Sequence, residues 1–482
     1  ARQSLSHLQP SQEWRLYLLR FGSTMGNGAV AKRRLWNSHI TKKALGESWA
    51  RIAESGGAGR DGKTPKQFGL HAEASIRRLN KTLRGDSHEF IAYLQLLKSK
   101  GAGKAPRIIS IPSTVDRIAL RAMSTYLRAV HPSQVSTKLP QTLVSEVITA
   151  LESDSWTYFV KLDIRDFYPS IDHEYLRAAL ALHVKDKGVV NTYMKAVRTP
   201  TVPRGATRPT HKVTKGVPQG LAVSNGLAEL TMEVVDRYLA SSPDFTAFRF
   251  VDDILILTHE PFENRITAEV RKLAGLAGLK VHDEASGKGK HAKGPVRDGF
   301  DFLGYQFEWP RITVRQGSVT KIESRITRAF TAYKYALDRN PESEEYAKRA
   351  KARLKWHLDL VITGFTLDKK RIGWLAYFSQ IRNQHLLKHL DSLVERKSLR
   401  FKVSELEFKT FVRSYRAVAS RKPNTYIPDF DSVTHEEMVR VMTEVFGMND
   451  VDRLAPDEVR ARFVRKIKRI SKDLEADVPG YT

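Results

Sequence analysis

The chain has 482 residues and 41% hydrophobic content, room for roughly three domain-sized globular units. Lysine and arginine outnumber aspartate and glutamate 80 to 53, a formal net charge of +27 that a polyanion, usually nucleic acid, is best placed to neutralise. With no cysteine, disulfide staples and cysteine-based zinc fingers are excluded. No apolar run approaches the roughly 18 residues of a membrane span, and Ala1-Arg2-Gln3-Ser4 carries no lipidation or amphipathic membrane signal, so the expectation is a cytoplasmic protein with no membrane partner.

Up to about residue 90, helical patterns alternate with glycine-rich breaks. One of these, Gly57-Ala58-Gly59-Arg60-Asp61-Gly62-Lys63-Thr64, matches a phosphate-binding loop letter for letter. That loop needs a buried strand before it and a helix directly after it. Here Leu45–Ile52 reads as a helix and Pro65 follows the threonine, so an ATPase reading is set aside.

From about 105 to 310, strand-like runs alternate with amphipathic helices, the pattern of an α/β or α+β core. Tyr158–Leu162, Phe245–Val251 and Ile254–Leu257 predict strands, and Glu174–His183 and Gly220–Leu239 predict helices. Thr199–Gly216 predicts an exposed, basic, proline-broken loop. Beyond Trp309-Pro310 the chain becomes mainly helical. His385 and His389 are spaced i, i+4 but lack the glutamate of a zinc protease, and read as exposed thumb residues. Trp356, Trp374, Tyr377 and Phe378 have the spacing of core residues. Val459, Phe463, Ile467, Ile470 and Leu474 form one apolar stripe on a final helix otherwise filled by arginine and lysine.

Two segments carry the chemistry. In Phe248-Arg249-Phe250-Val251-Asp252-Asp253-Ile254-Leu255-Ile256-Leu257, adjacent aspartates lie between apolar β runs, as at the tip of a hairpin. Like charges pressed together beside a core are costly unless a cation compensates them. In Tyr158-Phe159-Val160-Lys161-Leu162-Asp163-Ile164-Arg165-Asp166-Phe167-Tyr168, a second strand delivers Asp163 and is expected to break into a turn after it. Two carboxylates are the minimum for a pair of Mg²⁺ ions, which suit oxygen ligands, and Asp253 is a natural auxiliary.

The ordered series over roughly residues 50 to 400 resembles the seven-block core of reverse transcriptases. Arg107–Pro112 with Asp116-Arg117 resembles the fingers block, Lys161–Tyr168 motif A, Gly216-Val217-Pro218-Gln219-Gly220 through Ser224 motif B, and Phe250–Asp253 motif C. Gly278–His282 with Lys288 and Lys290 resembles motif D, and Phe302-Leu303-Gly304-Tyr305 the primer grip. The resemblance implies an α+β right-hand polymerase: N-terminal extension and fingers over 1–157, palm over 158–310, helical thumb over 311–400 and a basic helical C-terminal domain over 401–482. It implies RNA-directed DNA synthesis with Asp163, Asp252 and Asp253 catalytic, and with the Ile164 carbonyl joining them as metal ligands for two Mg²⁺, Mn²⁺ being a substitute. Lys104, Arg107, Tyr168, Gln219, Phe250 and Lys290 are the implied dNTP contacts, with Lys290 or Lys288 protonating the departing pyrophosphate. The implied partners are an RNA template, a small non-coding RNA above all, the DNA product and dNTPs; an oligomer is left open.

Two positions depart from the family pattern. Phe250-Val251 stands where Tyr-Ala is common, and Asn225 where a proline usually follows the motif B serine. The run Gly220-Leu221-Ala222-Val223-Ser224-Asn225-Gly226-Leu227-Ala228-Glu229 is closer to bacterial abortive-infection and other defence-associated reverse transcriptases. Ser136–Gln141 replaces the block typical of intron enzymes, no Asn-Ala-x-x-His element lies between Val144 and Trp156, and no endonuclease module is recognisable. The expectation is therefore an antiphage enzyme, the alternatives being a retron or group II intron-like enzyme, or a template-independent or protein-primed polymerase of the same family.

Overall fold

The computed structural model describes residues 29–53, 56–99, 105–131, 138–153, 156–206, 213–260, 262–286, 289–339, 342–420 and 425–475. Two units are distinguished, one within residues 1–137 and 156–294, the other within 138–155 and 295–482. The fold class is α+β, as expected.

The first unit is organised on β3 (Tyr158–Arg165), the middle strand of a five-stranded sheet of order β5-β6-β3-β7, with β8 (His291–Pro295) also paired to β3. β3 is antiparallel to β6 (Asp253–Thr258), which is antiparallel to β5 (Phe245–Phe250); β7 is Lys280–Val281. Val160, Leu162, Ile254, Leu255, Ile256 and Leu257 are fully buried, so these strands have apolar neighbours on both faces. That explains their unbroken apolar runs, where a half-exposed strand would alternate.

The helix Ser224–Leu239 is buried on almost every side, Leu227, Leu230, Met232 and Val235 all lying in the same core as Val160 and Ile256. A second sheet joins β1 (Tyr93–Lys98), β2 (Arg107–Ile111) and β4 (Thr201–Val202) in the order β2-β1-β4.

The second unit holds a three-stranded sheet, β9 (Phe300–Phe302), β10 (Tyr305–Glu308) and β11 (Arg311–Val314), and a hairpin of β12 (Phe365–Leu367) and β13 (Lys370–Ile372). Around them lie the long helices Gln316–Arg339, Glu344–Thr363, His385–Arg400 and Pro456–Glu475. The Tyr305 hydroxyl donates to the Tyr377 carbonyl (2.6 Å), and the Tyr377 hydroxyl to the Leu303 carbonyl (3.0 Å). Trp374, Tyr377 and Phe378 are core residues as expected, and Trp356 packs edge-on against Phe446. In the final helix Val459, Phe463 and Ile467 are fully buried, so its apolar stripe is a packing face. His389 is exposed and bonds Glu323 at 2.7 Å.

Three expectations need correction. β3 does not break at Asp163 but runs on to Arg165, because Ile164 and Arg165 find partners in Val281 and Lys280. The helix expected from Gly220 begins at Ser224, since Gly220 has a φ of +99° and closes a turn first. Thr199–Gly216 is not loop throughout. Thr201-Val202 pairs in parallel with β1, and the Ser110 and Thr201 hydroxyls are 2.7 Å apart. The phosphate-loop pattern precedes the short helix Pro65–Gly69, whose Thr64 is an N-cap engaged with Gln67; Thr64 is thus a capping residue.

Candidate active site

The β3–β6 ladder sets the site. Asp163 faces Asp253 directly in register, and β5 and β6 are joined by the two-residue loop Val251-Asp252. Residues opposite one another on antiparallel strands project to the same face, so one ladder step brings two carboxylates together. Asp252 joins them from the loop, where its carbonyl accepts from the Ile164 amide (3.3 Å).

Electrostatics record the crowding. Burial, then the charge of Asp163, raises the Asp252 carboxyl above the usual aspartate range. Burial and the neighbouring Asp252 push Asp253 up to about 7. Basic side chains face the cluster. Lys290 donates to both Asp163 oxygens at 2.7 and 2.9 Å, His282 Nε2 lies 3.4 Å from Asp163, and the charges of Arg107 and Lys161 act on Asp252 and Asp253 respectively. A set of oxygen donors whose repulsion an ammonium already relieves fits a hard divalent cation such as Mg²⁺.

Two turns frame this patch. Asp166 has a φ of +44° and opens the short helix Phe167–Ser170, which carries Tyr168. The motif B loop is tied to that helix: the Val217 amide donates to the Tyr168 carbonyl, the Gly216 amide to the Ile171 carbonyl (both 2.8 Å), and His173 Nε2 contacts the Gly216 carbonyl (2.8 Å). A Cβ on Gly216 would meet the Pro169 carbonyl oxygen at 2.8 Å, and φ there is +86°, so only glycine fits. On the far side, the Gln219 carbonyl accepts from the Ser110 amide (2.7 Å), and a Cβ on Gly220 would strike Ile109. The motif B loop is thereby held between β2 and the motif A turn.

Residues 98–307 match the family model described as reverse transcriptase (RNA-dependent DNA polymerase). This stretch is similar to a reverse transcriptase domain. The COX1/OXI3 intron 1 protein of Saccharomyces cerevisiae is similar at 26% identity, over 28% of this chain and 16% of its own length. The COX1/OXI3 intron 2 protein of the same yeast is similar at 32%, over 17% of this chain and 9% of its own. The chain therefore spans under a fifth of either relative. A solved structure of apo telomerase from Candida tropicalis, truncated from the C-terminal domain, overlaps 47% of this chain and 55% of that one at 14% identity and a TM-score of 0.36. At that score the likeness bears no weight.

Within the matched stretch, the structure brings together Asp163, Ile164, Asp252, Asp253 and Lys290. It places Arg107 at the start of β2, close enough for its charge to act on Asp252 and Tyr168. Phe250 lies opposite Asp253 at the end of β5. Lys104 and Lys288 lie outside the described residues.

Sequence reading missed a buried ion cluster beneath the loop. Arg249 donates to Glu229 (2.5 Å) and to both Asp236 oxygens (2.5 and 2.6 Å), and through Nη1 to the Val251 carbonyl (2.8 Å). The available signal was an arginine inside an apolar strand, with two acids seven residues apart on one helix face. The structure also explains Asn225, whose side-chain oxygen accepts from the Tyr168 hydroxyl at 2.8 Å. Burial, then the charges of Asp252 and Glu229, raises the Tyr168 phenol, so it donates at neutral pH.

The Asp253 shift has a stability consequence. An unfolded aspartate titrates near about 3.9, whereas the folded chain keeps the Asp253 proton up to about 7. Between those values the folded state binds more protons, so this group's contribution to stability falls as pH rises. In metal-free buffer, Tm should drop between pH 5 and pH 8 more in the wild type than in Asp253→Asn. Equal slopes by thermal denaturation would count against the buried, metal-free carboxyl.

Proposed function

We propose that the chain is an RNA-directed DNA polymerase extending a 3′-hydroxyl with dNTPs, with fingers, palm and thumb in chain order and a helical C-terminal domain. The meeting of Asp163 and Asp253 on one ladder step, with Asp252 in the adjoining loop, inside the segment that matches the reverse transcriptase family, carries the reading.

Asp163 and Asp252, with the Ile164 carbonyl, would hold two Mg²⁺, and Asp253 would support them. When bound, such ions lower the pKa of the attacking hydroxyl and stabilise charge on the leaving phosphate. Arg107, with Lys104, would clamp the triphosphate, a forked guanidinium and a flexible ammonium both suiting those oxygens. Lys290, which forms an ion pair with Asp163, would serve as proton donor to the departing pyrophosphate. Gln219 and Phe250 would contact the incoming dNTP. No helix among the described residues is long and apolar enough to cross a membrane.

The finer reading is a role in bacterial antiphage defence on an associated small RNA. It is supported by the motif B run Gly220–Glu229 and by the net charge of +27. Expressed with its native flanks in a susceptible host, the gene should protect against some phages in a panel. Protection that never appears, or that survives Asp163→Ala, would rule this role out.

For the chemistry, Asp163→Ala and Asp252→Ala should each abolish Mg²⁺-dependent incorporation, and the double variant should be no worse, because the two act as one site. Residual metal-dependent synthesis by purified Asp252→Ala would overturn the assignment.

Tyr168 is the proposed barrier to ribonucleotides, with Asn225 holding its ring. Tyr168→Ala should lower the dNTP over rNTP preference by on the order of tenfold, about 1.4 kcal/mol of discrimination. Tyr168→Phe and Asn225→Ala should each produce a smaller loss, and a similar one, since both delete the same hydrogen bond. An unchanged ratio in Tyr168→Ala would place the barrier elsewhere.

A further inference from the structure

His131, His183 and Glu233 converge in the first unit on three separate helices. His131 caps the C-terminus of the helix Thr114–Val130, His183 is in the last turn of His173–Val184, and Glu233 is central in Ser224–Leu239. Their side chains are 6%, 20% and 3% exposed. His131 Nε2 and His183 Nε2 are 2.9 Å apart, His183 Nε2 is 2.8 Å from Glu233 Oε2, and His131 Nε2 is 3.5 Å from the same oxygen. Among the described residues no other group of three histidine or acidic side chains meets so closely.

Hydrogen bonding alone leaves one side of this triangle without a hydrogen bond. An imidazole nitrogen carries at most one hydrogen. If it lies on His131 and points to His183, the bare His183 nitrogen faces a carboxylate oxygen, acceptor against acceptor. If it lies on His183, it must bend between two acceptors. If both nitrogens carry one, both can point to Glu233 Oε2, and the 2.9 Å approach of the two nitrogens is left without a hydrogen bond. A cation at the centre accepts all three lone pairs at once. In the Glu233 carboxylate, Oε2 is the oxygen that meets both histidines. Its second oxygen, Oε1, is occupied by Arg237, leaving Oε2 directed at the histidines.

We propose that His131, His183 and Glu233 bind a Zn²⁺ ion, with water completing the tetrahedron, as a structural clamp on the polymerase domain. Zinc–ligand bonds of about 2.0–2.1 Å in a tetrahedron separate the ligand atoms by about 3.3 Å. The separations of 2.8, 2.9 and 3.5 Å bracket that value, so small side-chain shifts admit the ion. Two imidazoles and a carboxylate favour Zn²⁺ over Mg²⁺, which prefers an all-oxygen octahedron. The chain has no cysteine, so imidazole is its softest strong donor. Glu233 lies one helical turn beyond Glu229, which holds Arg249, and Arg249 holds the loop that carries Asp252. The ion would therefore fix the helix that supports the catalytic hairpin, without touching the catalytic carboxylates.

The test is metal content of the full chain, purified without chelator or histidine tag. Elemental analysis should find about one zinc per chain, the stoichiometry of a single tetrahedral site. Asp252→Asn should retain it, which separates this site from the proposed catalytic one. His183→Gln and Glu233→Gln should lose it. In the wild type, chelation should lower Tm, and Zn²⁺ but not Mg²⁺ should restore it. Co²⁺ in place of zinc should give the visible absorption of a tetrahedral centre. Should a variant fail to fold, the wild-type measurements decide alone. A wild-type chain that carries no zinc, shows no Tm response to added Zn²⁺ and gives no Co²⁺ spectrum would overturn the proposal. Zinc lost from Asp252→Asn but kept by His183→Gln would do so equally.

Discussion

Like charges on one ladder step are the constraint around which this domain is arranged. Asp163 and Asp253 face each other across β3 and β6, and Asp252 adds a third acid from the adjoining loop. Directly opposed like charges weaken a strand pair, so the ladder must draw its stability from elsewhere. It does so from Val160, Leu162, Ile254, Leu255, Ile256 and Leu257, all fully buried. Each such side chain contributes roughly 1.5–3 kcal/mol by leaving water, which outweighs the repulsion at one end of the ladder. Lys290 and His282 then meet Asp163 from the segment that follows β7 and from just beyond its end. The apolar run and the acids are therefore one device. The first forces the second into a geometry that the acids alone would refuse.

Much of this was legible because strands buried on both faces write themselves as continuous apolar runs, and a charged residue inside one stands out. Asp163, Asp252 and Asp253 were visible on those terms. What escaped reading depends on contacts distant in sequence. The continuation of β3 past Asp163 needs Val281 and Lys280 as partners, more than a hundred residues away. The two-residue strand Thr201-Val202 exists because β1 offers it an edge, and its flanking prolines suggested only a loop. Asn225 read as a departure from the usual proline. Its side chain accepts from Tyr168, 57 residues earlier, and no local pattern encodes that pairing. His131, His183 and Glu233 are likewise spread over a hundred residues, and their meeting depends on how three helices pack.

The hairpin tip shows why the buried cluster under it matters. Val251 has a φ of +58°, a conformation that a β-branched residue adopts only at a cost on the order of 1–3 kcal/mol. Glycine would relax it, but glycine would also let the loop sample other conformations and carry Asp252 with it. Arg249 takes the Val251 carbonyl and is itself fixed by Glu229 and Asp236 from the helix Ser224–Leu239. A buried ion cluster is seldom the most stabilising way to fill a core. Here it supplies direction: a guanidinium with rigid geometry links a strained loop to a rigid helix. Strain in the loop and order in the cluster thus work as a pair. The first gives the loop its shape, and the second keeps the loop from escaping it, so that Asp252 points where Asp163 and Asp253 already are.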